Sequence, residues 1–140
     1  MKPSFKKIMT AALAAGSTAA LINSVLFFLF RALGIITDDV FVQDNQPLTV
    51  IPVILSSLVP SLLAGVAYYF LSRYTRNGYR IFSTVALVLL LLSFANPFVG
   101  IRGITVAMGV ALNAMHVVVV ACLLYFFKRT HTSALKPSLG

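Results

Sequence analysis

His116 and Asn113 sit three residues apart in the run ALNAMHVVVV (111–120), where nearly every other side chain is Val, Ala or Leu. Helix positions i and i+3 share a face, so the two would project together from an otherwise apolar surface. An imidazole titrates near neutral pH and can take a proton or bind the polar head of a ligand. The carboxamide beside it offers both donors and an acceptor. Asn23, in AALINSVLFF, is the amide expected at matching depth on another apolar segment. An ionisable group inside a membrane span marks function by default, so Asn23, Asn113 and His116 form the candidate site.

The same three residues have a structural use. Hydrogen bonds between helices in lipid contribute about 0.6–2 kcal/mol each and fix packing. The functional alternative is a site for a lipophilic, quinone-type molecule or for a proton. A proton relay normally needs more titratable groups, and no Asp, Glu or Lys falls inside an apolar run. A bis-histidine haem would need a second intramembrane His, available only through a homodimer.

The elements that must position these residues are legible in the hydropathy. With 59% hydrophobic and 10% charged residues and a mean hydropathy of +0.96, the chain suits a bilayer better than water. Four apolar segments, about 8–30, 49–71, 81–99 and 105–127, each approach the roughly 20 residues a helix needs to cross about 30 Å of hydrocarbon. They are too long for strands and do not alternate. Backbone polar groups in lipid must pair internally, which makes these segments helices. The first resembles a signal peptide only at its basic start, because its apolar run outlasts a signal h-region. The expectation is one all-α domain over 1–140, a four-helix transmembrane bundle.

Charge orients it. Lys2, Lys6, Lys7, Arg73, Arg76, Arg80, Lys128, Arg129 and Lys136 fall on one side, nine of the eleven basic residues. Arg31 and Arg102 fall on the other with all three acids, Asp38, Asp39 and Asp44. Short basic segments stay cytoplasmic, so both termini are expected inside a bacterial cytoplasmic (inner) membrane. The net charge of +8 is then a topology signal. No basic helix face or RNA-binding motif supports nucleic acid as a partner.

Secondary polar and kink positions follow. Pro60 should bend the second helix and free a carbonyl near Ser56. Ser57, Ser61 and Gly65 should face the interior, as should Ala12, Gly16 and Ala20 of the first helix and the row Gly103, Ala107, Ala111 of the fourth. Asn96-Pro97 should end the third helix, with Asn96 as a local cap, and Ser93 lies one turn before it. The run LVLLLL (87–92) should face lipid. In the turn RYTRNGYR, Asn77-Gly78 tolerates positive φ. In the long first loop, DVFV has room for a brief extended piece, limited by Pro47 and Pro52. Tyr68, Tyr69, Tyr74, Tyr79 and Tyr125 should form an interfacial belt, and THTSALKPSLG should fray. The lone Cys122 reads as a small buried hydrophobe. The spacing of the three aspartates matches no calcium loop, so neither a metal site nor a cofactor is expected.

Asn23, LVPSLLAG (58–65), LSFANPF (92–98) and ALNAMHVVVV (111–120) together resemble an uncharacterised family of small four-span bacterial membrane proteins known only as a domain of unknown function. The likeness runs from about Ile8 to Phe127, and NAMH is its most specific element. What it implies is a single-domain integral membrane protein; it brings no reaction, cofactor or catalytic residue. Two functions remain: a non-enzymatic subunit or scaffold acting through helix–helix contacts, and a small carrier or sensor using the Asn/His cluster. The expected partners are the bilayer, a second copy or another membrane protein, and in the second case a lipophilic ligand. An intramembrane enzyme lacks the reactive groups it would need.

Overall fold

Ser4 opens the first helix by accepting from the Lys7 amide at 3.4 Å, which satisfies one of the N–H groups a helix start leaves free. In the computed structural model, which describes residues 2–43 and 45–135, seven elements follow. They are α1 (Phe5–Ala32), β1 (Phe41–Gln43), β2 (Gln46–Pro47), α2 (Val50–Tyr74), α3 (Gly78–Ser93), α4 (Asn96–Gly100) and α5 (Val106–Leu135). Taking α3 and α4 as one segment, four helical segments are long and apolar enough to cross a membrane. Lys2 Nζ donates to the Arg73 carbonyl at 2.7 Å, and His131 stacks on Tyr79. The start of α1, the end of α5 and the α2–α3 turn therefore share one end, the termini end, and loop 1 (33–49) lies at the other.

Small residues hold α1 to α2. Ala12, Gly16 and Ala20 are buried on α1, and Ser57, Ser61 and Gly65 on α2, as expected. A Cβ on Gly65 would come within 2.7 Å of Ala12 Cβ, and one on Gly16 within 3.0 Å of Ser61 Cβ. Such close approach supplies the van der Waals contact that associates helices in lipid. The same contact explains why α1 packs more extensively on α2 than on α5. Helix α2 runs unbroken through Pro60, which is exposed.

Several expectations are corrected. Gly78 has no positive φ; it is glycine because a Cβ there would lie 2.6 Å from Ser72 Cα. Asn96 starts α4 and makes no side-chain capping bond, although the break itself falls where Asn96-Pro97 places it. The row on the last span is interrupted, because Gly103 lies in the preceding turn at φ +73 and Ala107 is exposed, leaving Ala111 buried. Helix α5 extends through Leu135, so residues 130–135 are helical rather than frayed; residues 136–140, with Lys136, lie outside the described residues. Loop 1 forms a two-stranded antiparallel hairpin pairing Phe41 with Pro47 and Gln43 with Gln46. Asn45 turns it at φ 55, a conformation asparagine tolerates better than most residues.

Two cores result. At the termini end, Ile8, Ala12, Ala15, Tyr68, Phe82, Leu123 and Phe127 pack together. Tyr68 is 0% exposed and stacks on Phe127 with ring centroids 4.7 Å apart, so it belongs to the core and not to an interfacial belt. At the loop end, Phe27, Ile36, Val40, Leu48, Val53, Met108 and Met115 pack beneath the hairpin. Leu87, Leu89, Leu91 and Leu92 of α3 are exposed, as the lipid-facing expectation requires.

Candidate functional site

Between the loop-end halves of α1, α2, α4 and α5 lies a cavity of about 550 Å³. Asn23 of α1 and His116 of α5 line it, with Val53 and Ser56 of α2 and Pro97 of α4; Val42 and Leu48 form its roof. Exposed Leu55 and Ser56 on one side and Asn96 and Gly100 on the other form its mouth. The walls are otherwise apolar, the usual character of a small-molecule site with a few convergent polar groups.

Asn23 is 2% exposed. Its Nδ2 donates to Ser57 Oγ at 3.0 Å and to the Met115 carbonyl at 3.2 Å, tying α1 to α2 and α5 at one point. Ser57 in turn donates to the Val53 carbonyl at 2.9 Å, and Ser61 to the Ser57 carbonyl at 2.7 Å. With both serine protons committed to the helix, Ser57 Oγ meets Asn23 as an acceptor. That assigns the orientation of the amide, because the Met115 carbonyl also requires a donor. Asn23 Oδ1 is then left buried without a partner, a costly state away from water.

His116 is half-buried and its Nδ1 also has no partner. The Leu112 carbonyl one turn back lies beside the ring but outside hydrogen-bond geometry. Since Nδ1 is the buried ring nitrogen, Nε2 is the accessible one. Two unpartnered polar atoms, one amide oxygen and one imidazole nitrogen, therefore belong to side chains of a single cavity.

Asn113 does not join them. Its Nδ2 donates to the Phe94 carbonyl at 3.0 Å, at the point where α3 ends and its last carbonyls lose their helical partners. The expected trio is thus a pair plus an α5–α3 tie. Ser93 donates to the Leu90 carbonyl at 2.7 Å and has no role at the cavity, whereas Asn96 lines it. The brief extended piece expected at DVFV is present as β1, but its place as a roof over the cavity was missed in the sequence, although it left a signal. Val40 and Val42 face inward while Phe41 is exposed, the period-two alternation of a half-buried strand.

The charged residues of this end lie outside the cavity. Arg31 Nη2 and Asp38 Oδ2 are 2.7 Å apart, with side chains 41% and 63% exposed, a surface pair of small energetic weight. The Thr37 hydroxyl beside Asp39 holds its carboxyl below its ordinary value. Arg102 is exposed in the α4–α5 turn, and Asp44 lies outside the described residues. Among the described residues no three His, Cys, Asp or Glu side chains converge as a metal ion would require.

Four helical segments long and apolar enough to cross a membrane define a small multi-pass membrane protein. The chain belongs to the Family of unknown function (DUF6069), whose model matches residues 3–133. No curated protein and no solved structure shows a significant match to it.

Proposed function

We propose that the protein binds a lipophilic molecule in the loop-end cavity and acts as a small membrane carrier or sensor. The observation that carries this reading is a cavity of about 550 Å³ whose mostly apolar lining includes the side chains of Asn23 and His116. The accessible Nε2 of His116 can pair with a hydroxyl or N–H head, so the most favourable occupant joins such a head to an apolar body. A proton relay is disfavoured because, among the described residues, no other titratable side chain lines the cavity. The proposal assigns no reaction.

The membrane is proposed to be the bacterial inner membrane, with the termini end cytoplasmic, on the strength of the Lys/Arg distribution. The scaffold reading keeps its support in the α1–α2 packing and becomes one outcome of the test. Native mass spectrometry of protein released in mild detergent is expected to show a retained small molecule in wild type. His116→Ala and the cavity-filling Leu55→Trp are both expected to lose it. Identical, ligand-free spectra for all three proteins would leave the cavity without a ligand and favour the scaffold.

A further inference from the structure

At the opposite end, a groove of about 620 Å³ runs between the first turns of α1 and the last turns of α5. Lys6, Lys7 and Arg129 stand along its rim, and Ala11, Ala14 and Phe126 line it further into the helices. It is remote from the cavity described above and does not depend on that reading.

Among the described residues the rim cations lack a counter-charge. The three acidic side chains of the sequence are Asp38, Asp39 and Asp44, and Asp38 and Asp39 lie in loop 1 at the far end. Among the described residues no ion pair involves Lys6, Lys7 or Arg129. Thr10 and Thr130, also on the groove, donate their hydroxyl protons to the Lys6 and Phe126 carbonyls at 2.9 Å each. Ammonium and guanidinium groups are therefore the chief donors facing the rim, the chemistry that binds a phosphate. The threonine oxygens keep lone pairs for a hydroxyl-bearing headgroup.

The wall continues downward. From Lys6 to Ala14 the helix descends about 12 Å at 1.5 Å per residue, enough to pass from headgroup level into the acyl region. Ala11 and Ala14 on α1 and Phe126 on α5 line the groove there, and larger side chains in place of the alanines would narrow it. Free phosphate uses only the rim, and a neutral lipid leaves three cations uncompensated.

We propose that this groove holds one anionic phospholipid, its phosphate among Lys6, Lys7 and Arg129 and an acyl chain along Ala11, Ala14 and Phe126. Basic pockets between transmembrane helices are recognised lipid sites. Here the apolar part of the groove adds selection for a diacyl anion over a soluble one.

The test uses the full chain in mild detergent with added phosphatidylglycerol or phosphatidylcholine, read by native mass spectrometry. Wild type is expected to retain one phosphatidylglycerol and to lose phosphatidylcholine. The triple variant Lys6→Gln, Lys7→Gln, Arg129→Gln should weaken retention about a hundredfold, at about fivefold per basic residue. Ala14→Phe, which changes no charge, should weaken it by narrowing the groove. Because the three basic side chains are exposed, the triple variant should melt like wild type in lipid-free detergent. Equal retention of both lipids by wild type would overturn the proposal, a comparison that needs no variant. So would unchanged phosphatidylglycerol retention in the triple variant, or displacement of the lipid by millimolar inorganic phosphate.

Discussion

The two ends of the molecule solve the same packing problem differently. At the termini end, Tyr68, Phe82 and Phe127 form a ring cluster, Gly65 meets Ala12, and Gly78 meets the Ser72 backbone. The space left between the ends of α2 and α5 is a pocket of about 200 Å³. At the loop end the same helices part around about 550 Å³ lined by Asn23 and His116, whereas among the described residues the buried Tyr68 hydroxyl of the closed end, also without a partner, has no cavity of that size beside it. A protein whose only task was to hold four helices together would gain by closing the second half as it closed the first. The contrast agrees with the proposed ligand site in the open half, with the aromatic cluster of the other half as its frame.

The largest effect should come from breaking the frame. Phe127→Ala removes a 0% exposed ring shared by Tyr68 and Phe82. By analogy with soluble cores it should cost about 3–5 kcal/mol, measured as reversible unfolding in mixed detergent and SDS. A cost below that of an exposed Leu89→Ala control would mean that the aromatic cluster is not the frame.

A pair of glycines sharpens the comparison. The atom a Gly65→Ala methyl would meet is Ala12 Cβ, which can retreat only if α1 moves. Overpacking of this kind costs about 1–3 kcal/mol. A Gly109→Ala methyl would meet the Phe98 ring within 2.5 Å, and that ring is 45% exposed and free to swing. Gly109→Ala should therefore cost less than Gly65→Ala in the same assay. The reverse order would place the rigid contact at the open end.

Weaker still should be the thermal effect of His116→Ala. The side chain makes no hydrogen bond that its loss would break, so a change within about 1 kcal/mol is expected. Asn23→Ala, which severs bonds to α2 and α5, should cost about 1–2 kcal/mol. If His116→Ala proved the more damaging, the imidazole would be a packing residue and the contrast between the halves would weaken.

What could be read in advance follows from the solvent. Helix count and approximate bounds were legible because a span must be about 20 residues long and apolar. The inward faces of α1 and α2 were legible because Ala12, Gly16, Ser61 and Gly65 are small, which is what close approach in lipid needs. Asn96-Pro97 announced the α3–α4 break through proline's missing donor. Faces marked by apolar residues alone were not legible, because a lipid-facing leucine and a buried one have the same chemistry. Tyr68 could thus pass for an interfacial residue, and Ala107 for a buried one. Asn113 shared a face with His116 in sequence, but its partner is set by where α3 stops, and the residue spacing carries no trace of that. Gly78 was misread for a similar reason: its near neighbour, the Ser72 backbone, is fixed by how tightly the α2–α3 turn closes.

The smallest expected effect tests how the roof of the open half is anchored. Loop 1 reaches the hairpin through Ile36 and Val40, both buried, with Thr37, Asp38 and Asp39 between them. The Thr37 hydroxyl and, after it, the Asp39 backbone depress the Asp39 carboxyl. A depressed folded-state value means that the ionised form favours the folded loop. That contribution is present above the unfolded carboxylate value and is lost as pH falls through the folded one. Asp39 is fully exposed, so the loss should register as local loosening and leave global melting unchanged. Thr37→Val removes the larger cause and should return the Asp39 titration toward the ordinary carboxylate range, read by carbon NMR of the labelled side chain. If the curve does not move, the turn is held by the burial of Ile36 and Val40 alone, and the roof above Asn23 and His116 owes nothing to charge.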